Sequence, residues 1–153
     1  MVQIDSARLN EIAQQFGLDL IVLFGSHAKG RARPGSDVDI AVRAIQRPWD
    51  DWKWEFEVEA ALSDAIQAEG EVDTVFLNGA SPLLMFQVAS TGQALFEKEW
   101  GVFSDFKSYA ALRYYDDEPR RERQTDYLKS HYAREARNTQ YEKNTVPTLD
   151  VQE

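Results

Sequence analysis

Residues 18–42 read LDLIVLFGSHAKGRARPGSDVDIAV, and this stretch decides the fold. Its first seven residues form a short aliphatic run that predicts a buried strand, and Gly25-Ser26 ends that strand. Ten residues follow, among them three cations, two glycines and a proline, and this composition indicates a loop. The run from Ser36 to Val42 then alternates polar and apolar side chains, which is typical of a half-buried strand.

Shorter patterns on both sides predict the rest of one domain. Apolar residues recur at helical spacing from Leu9 to Phe16 and again from Trp54 to Ile66. Further along the chain, a strand, a short helix and a last strand are predicted at residues 71–77, 82–89 and 94–96. The 153 residues therefore predict one small α/β domain, of α+β type, with a helical C-terminal extension.

The composition excludes several classes of site. The chain has no cysteine, which excludes disulfides and thiolate zinc sites, and its two histidines are too few for a multi-histidine metal cage. The formal charge of −9, from 17 basic and 26 acidic residues, argues against binding to nucleic acid, because phosphates attract cationic surfaces. The chain begins without a signal-peptide pattern, and its longest apolar run is too short for a bilayer. We therefore expect a soluble, cytoplasmic protein with no membrane partner and no direct contact to nucleic acid.

Two aspartates in the second strand point to a metal. Asp37 and Asp39 are two residues apart, so on a strand they share one face at a separation of about 6.6 Å. At an effective dielectric of about 20, two carboxylates at that distance repel by roughly 2.5 kcal/mol. A divalent cation such as Mg²⁺ would relieve the repulsion, because it prefers oxygen ligands. Asp73, on the next predicted strand, would complete a site for two ions that clamp a phosphoryl group.

The turn before the loop suits a phosphate. Gly25 allows the backbone to approach a ligand closely, while the amide and hydroxyl of Ser26 can donate hydrogen bonds to phosphate oxygens. Lys29, Arg31 and Arg33 add positive charge beside the acidic pair, as a triphosphate would need. Each feature alone has an ordinary explanation: a turn, a solvated strand face, an exposed strand residue. Their order and spacing together make the pattern specific.

The pattern resembles the DNA polymerase β-type nucleotidyltransferase superfamily. The signature of that superfamily is Gly-Ser, a spacer, Asp-x-Asp and a third carboxylate on a later strand, and Gly25-Ser26, Asp37, Asp39 and Asp73 match it. The resemblance covers about residues 5–97 and implies a small mixed sheet flanked by helices. The shortness of the chain resembles the minimal nucleotidyltransferase (MNT) branch, whose members are typically antitoxins paired with a HEPN-domain ribonuclease toxin.

The resemblance also implies an activity and its residues. Members of the MNT branch transfer AMP from ATP to a tyrosine of the toxin and so silence it. Carried onto this sequence, Asp37 and Asp39 would be Mg²⁺ ligands, and Asp73 would be the third carboxylate, which activates the attacking hydroxyl. Gly25 and Ser26 would hold the β- and γ-phosphates of ATP, with Lys29 or Arg33 assisting.

Two other functions remain open at this stage. A small-molecule nucleotidyltransferase of the antibiotic-modifying type shares the motif but would need an acceptor pocket. A non-catalytic antitoxin could instead mask its partner stoichiometrically. His27, in the loop, is interpreted as a surface histidine in preference to a nucleotide contact.

The C-terminal third of the chain is rich in tyrosine and arginine. We expect a nucleotidyltransferase domain over residues 1–103, a helical, partner-docking extension over 104–137 and a flexible tail over 138–153. All six tyrosines lie after residue 103, interleaved with arginines, and both residue types are enriched at interface cores. The alternatives are a helix that packs its aromatic face on the domain, or self-modification of one of these tyrosines.

Overall fold

A computed structural model describes the backbone of residues 2–48 and 51–145, with side chains up to residue 135. The described chain contains six strands and six helices. The strands are β1 (Gln3–Ile4), β2 (Leu18–Phe24), β3 (Val38–Ala44), β4 (Ile66–Gln67), β5 (Val72–Phe76) and β6 (Gln93–Glu97). The helices are α1 (Ser6–Phe16), α2 (Gly25–Ala28), α3 (Trp52–Ala65), α4 (Pro82–Thr91), α5 (Val102–Asp116) and α6 (Glu118–Thr145).

The main sheet is small and mixed, as predicted. Its strand order is β5-β3-β2-β6, with β3 and β5 parallel and the other neighbours antiparallel. A second sheet, in which β1 pairs antiparallel with β4, was not predicted from the sequence. Strands of two residues carry too little alternation to be read from the sequence.

Two layers of helices enclose the sheet. On one face, α1 and α3 pack against side chains such as Ile21, Ile40 and Val42. On the other face, α4 and α5 pack against Leu20 and Val22 of β2 and against Ala41 of β3. The central strand β2 is therefore buried on both sides, which explains its uninterrupted aliphatic run.

Helix α5 belongs to the domain and not to the extension. Its residues Phe103, Phe106 and Ala110 are buried in the cluster shared with α4 and the sheet. The compact unit accordingly runs from Met1 to Tyr115, twelve residues beyond the expected boundary at 103. The three buried residues follow helical spacing, but the charged residues between them make the helix look solvent-exposed in the sequence.

The second unit, Asp116–Glu153, contains α6. The backbone of α6 is helical to Thr145, so the first half of the expected flexible tail is part of a helix, and residues 146–153 lie outside the described residues. Its apolar side chains Tyr127, Leu128 and Tyr132 are exposed. Within the described part of the chain, no helix has both the length and the apolar composition needed to cross a bilayer.

The place of α5 in the core can be tested by truncating one buried side chain. Phe106 is 1% exposed, so Phe106→Ala should lower the free energy of unfolding by about 3–5 kcal/mol through lost burial and a residual cavity. Tyr109, on the same helix but 51% exposed, is the matched control. Tyr109→Ala should change the free energy of unfolding by less than about 1 kcal/mol. Urea unfolding measures both. Equal small effects would mean that α5 is not part of the core.

Candidate functional site

Strand register brings the acidic residues to one edge of the sheet. Asp39 of β3 is paired in register with Phe24 of β2 on one side and with Asp73 of β5 on the other. Asp39 lies two residues before Ala41, whose side chain packs against α4 and α5. Asp73 likewise lies two residues before Val75, which packs against the same cluster. Both carboxylates therefore lie on the sheet face that carries α4 and α5.

Asp37 lies just before β3 and is held by the turn that leads into β5. The backbone N–H of Glu71 donates to Oδ1 of Asp37 at 3.0 Å. The backbone N–H of Val38 in turn donates to the Glu71 carbonyl at 2.8 Å. One carboxylate oxygen of Asp37 is thus engaged by the fold, and the exposed side chain has its second oxygen left for a ligand.

Gly25 is packed directly against Asp39. Its φ of +70° lies in the left-handed region, and a Cβ at this position would overlap Oδ2 of Asp39 and come within 2.8 Å of its Cγ. Glycine alone allows the turn after β2 to approach the carboxylate this closely. Ser26 follows in the first turn of α2, where backbone N–H groups have no intrahelical acceptor.

The electrostatics of Asp39 reflect this crowding. Burial raises the pKa of the Asp39 carboxyl above its ordinary value of 3.8, and the neighbouring carboxylates Asp73 and Asp37 raise the pKa further. The electrostatic interaction with His27 lowers the pKa of Asp39. A group of acids that repel one another is the donor set that a hard divalent cation would stabilise.

The acids form an open row and not a closed cage. Among the residues whose side chains are described, no three histidine, aspartate or glutamate side chains converge closely enough to hold a metal ion. Asp73 is exposed, so its side chain can rotate towards Asp39 without breaking core packing, whereas Asp37 is held by its hydrogen bond from the Glu71 amide. The donor set therefore fits a divalent cation in its chemistry and register.

A cleft of about 390 Å³ adjoins Asp39. This is within the range of small-molecule sites. Its sheet side is formed by Phe24, Gly25, Lys29 and Asp39, and its other wall is formed by Phe86, Gln87, Ser90 and Thr91 of α4. The ring of Phe86 is stacked on Tyr114 of α5, with centroids 4.1 Å apart and planes 17° apart, so the aromatic part of this wall is braced.

Of the two cations expected to assist, Lys29 lines this cleft, whereas Arg33 lines a separate hollow. That hollow measures about 290 Å³ and includes His27, Ser36 and Glu69. Residues 33–36 form a tight turn, in which the Ser36 backbone N–H donates to the Arg33 carbonyl at 2.9 Å. Lys29 and Arg33, with only three residues between them, thus lie in different surroundings, and the composition of the loop does not reveal this.

Sequence reasoning missed several residues of the site. His27, interpreted as a surface residue, is partly buried, and its Nε2 donates to the Ser36 carbonyl at 3.0 Å. The α4 wall was also missed, because Phe86 and Gln87 reach the cleft only through the packing of α4 on β2. The helical spacing of Gln87, Ser90 and Thr91 on one polar face of α4 was the available signal.

The chain is similar in sequence and in structure to several known proteins. The family model described as "Polymerase beta, Nucleotidyltransferase" matches residues 8–100. A protein adenylyltransferase, MntA of Shewanella oneidensis, is 37% identical over 93 residues, or 61% of this chain. The matched region spans about three fifths (61%) of that relative's length.

Two solved structures share the fold. One chain of a toxin–antitoxin crystal structure with AMP-PNP gives a TM-score of 0.63 at 26% identity, covering 82% of this chain and 98% of that one. A chain from a complex of a tri-AMPylated Shewanella oneidensis HEPN toxin with an MNT antitoxin gives a TM-score of 0.57 at 24% identity, and the match covers 80% of this chain and 94% of that one. These likenesses confirm the predicted fold.

The raised pKa of Asp39 predicts how pH affects the metal-free protein. Because the folded-state pKa is the higher one, ionisation of Asp39 lowers stability as the pH rises from 3.8 through the raised value, and the loss is complete at neutral pH. Asp39→Asn should therefore raise the free energy of unfolding at pH 7, by less than about 1 kcal/mol because solvent screens the site. The gain should shrink as the pH falls towards 4.

Urea unfolding at pH 4 and pH 7 without divalent cations measures this effect. The control is Asp64→Asn, which neutralises an exposed aspartate on α3 and should show no comparable gain. A destabilised Asp39→Asn protein at pH 7 would contradict the repulsive arrangement.

Proposed function

Because the chain belongs to the polymerase β nucleotidyltransferase family, we propose that it is a protein adenylyltransferase of the antitoxin type. It transfers AMP from ATP to a tyrosine hydroxyl of a partner HEPN ribonuclease toxin and thereby neutralises the toxin. The observation that carries the proposal is the register of Asp39 with Asp73, with Gly25 packed against Asp39. The relative named protein adenylyltransferase and the AMP-PNP-containing toxin–antitoxin structure support the choice of activity.

The triphosphate binds at the turn after β2. Gly25 lets the turn pack against Asp39, so the amide and hydroxyl of Ser26 lie near that carboxylate and donate hydrogen bonds to the phosphate oxygens. Lys29, in the same cleft, adds a positive charge. Phe86 and Gln87, on the opposite wall, offer an aromatic surface and an amide to the nucleoside.

Asp37, Asp39 and Asp73 hold Mg²⁺, with two ions the expected number. When bound, the metal offsets the negative charge of the phosphates and lowers the pKa of the attacking hydroxyl. The protein supplies the ligands, and it fixes Asp39 against Gly25 and Asp37 against the Glu71 amide. Most of its contribution to the rate is therefore position and electrostatics.

The transfer step is an in-line displacement. The tyrosine oxygen of the partner forms a bond to the α-phosphorus of ATP, and the bond between that phosphorus and the bridging oxygen of the β-phosphate breaks. Pyrophosphate leaves, and the hydroxyl proton passes to the carboxylate of Asp73. Asp73 is exposed, so an acceptor side chain can approach it from solvent.

The partner docks on the C-terminal helical region. Tyr127 and Tyr132 of α6 are 66% and 65% exposed, and Leu128 lies beside them. Aromatic side chains exposed to this extent are costly to leave in water and are common anchors at interfaces. The proposed reaction needs cytoplasmic ATP, and we place the protein in the cytoplasm.

The activity is tested by incubating this protein with ATP, Mg²⁺ and the cognate HEPN protein and measuring the intact mass of the latter. We expect a rise in whole AMP units with the wild type and none with Asp37→Ala, which loses a metal ligand. Asp64→Ala, on α3, is the matched control and should transfer normally.

Other outcomes would redirect the proposal. Tight binding of the HEPN protein without a mass rise would favour stoichiometric masking, and neither binding nor transfer would favour a small-molecule acceptor. A chain ending at Tyr115 in the same assay tests the docking role of α6 and should lose binding of the partner but not of ATP.

The separation of Lys29 from Arg33 gives a paired test of the nucleotide cleft. Lys29→Ala should raise the KM for ATP about tenfold or more, because a charged hydrogen bond contributes about 1.5–3 kcal/mol. Arg33→Ala should leave the KM within about twofold, since Arg33 lines the other hollow. Steady-state kinetics with varied ATP measure both. The reverse order of effects would place the triphosphate on the other side of the loop.

A further inference from the structure

The peptide that joins Ser36 to Asp37 is confined from two sides. On one side, Nε2 of His27 donates to the Ser36 carbonyl oxygen at 3.0 Å. On the other side lies the backbone of Gly70, so closely that a Cβ there would overlap the same carbonyl oxygen and lie 2.9 Å from the Asp37 nitrogen. Gly70 lies in the turn between β4 and β5.

The residues around Gly70 continue this confinement along the chain. Oε2 of Glu69 accepts a hydrogen bond from the Gly35 amide at 3.2 Å. The backbone N–H of Glu71 donates a hydrogen bond to the Asp37 carboxylate, and the Glu71 carbonyl accepts one from the Val38 amide. Three consecutive residues, 69–71, thus contact four consecutive residues, 35–38, the last of which begins β3.

This contact set links the two halves of the proposed site. His27 lies in the same short helix as Ser26, next to Gly25, whereas Ser36 directly precedes Asp37. Between them the loop runs over an exposed course, and loops of this kind are mobile unless they are tied down. The His27–Ser36 bond closes the loop at its base and ties the phosphate-binding turn to the first carboxylate.

We propose that His27 and Gly70 are positioning residues that together hold the Ser36–Asp37 peptide and thereby set the metal affinity of the site. His27 supplies the hydrogen bond, and Gly70 supplies the space in which the turn can approach. Neither residue touches the nucleotide or the metal. The inference rests on the proposed function only in taking Asp37 as a metal ligand.

The chemistry of the contact decides which substitutions are informative. A carbonyl oxygen can only accept, so the His27 nitrogen must be the donor. Glutamine retains an N–H donor on a side chain of similar reach, whereas leucine fills similar space without one. Gly70→Ala acts from the opposite side, because its methyl group would displace the Ser36 carbonyl.

The experiment compares wild-type protein with His27→Leu, His27→Gln and Gly70→Ala, all at full length. Mn²⁺ binding is measured by electron paramagnetic resonance without nucleotide, and exchange of the Val38 and Glu71 amides is measured without metal. His27→Leu and Gly70→Ala should weaken Mn²⁺ binding about fivefold to tenfold, as expected for one lost hydrogen bond, and speed exchange of both amides. His27→Gln should stay within about twofold of the wild type.

His131→Leu, on the exposed surface of α6, is the matched control and should leave both measurements unchanged. In the transfer assay, His27→Leu should need more Mg²⁺ for half-maximal rate and lose kcat, with the KM for ATP unchanged at saturating Mg²⁺. A merely structural role would lower the Tm of His27→Leu but leave the Mn²⁺ affinity of the folded protein at the wild-type value.

Two negative results have different meanings. If the wild type binds Mn²⁺ and His27→Leu and Gly70→Ala bind it equally well with unchanged amide exchange, the positioning role is overturned and the proposed function is not. If the wild type binds no Mn²⁺, the metal site is wrong, and both the proposed function and this inference fail.

Discussion

The close approach of Gly25 to Asp39 is the constraint on which the proposed site depends. The missing side chain lets the turn after β2 pack against a carboxylate of the neighbouring strand, so the backbone proposed to bind phosphate and the carboxylate proposed to bind metal line one cleft. Any Cβ there would meet the carboxylate and would also impose strain at a positive φ. Burial and the neighbouring carboxylates Asp73 and Asp37 raise the pKa of Asp39, and a bound cation would offset the repulsion between these acids.

The rest of the domain serves to hold that pair in place. The helices on both faces bury residues 20–23 of β2, and this packing favours one register with β3. On the site face, α4 and α5 cover Val22 and Ala41, and the next residues on that face of the two strands, Phe24 and Asp39, border the cleft. The cleft therefore lies where the sheet continues past its helical cover.

Much of the fold and part of the site could be predicted because their signals are local. The aliphatic run of β2, the alternation before Val42 and the Gly25-Ser26 break all lie in one stretch, and β5, α4 and β6 were predicted near their observed bounds. The domain boundary was placed too early, since the buried residues of α5 are hidden among charged ones. The split between Lys29 and Arg33 could not be predicted, because it depends on how one loop folds.

The sequence by itself determined the elements, the acidic and glycine positions, and the family that their spacing resembles. Tertiary structure alone decided which residues meet: Asp39 faces Asp73 through strand register, His27 reaches Ser36 across a loop, and Gly70 packs on the Ser36–Asp37 peptide. The physical reason is that periodicity and turn preference act between residues a few positions apart, whereas these contacts join segments up to 34 residues apart. Such contacts follow from how the core packs, and no local pattern encodes them.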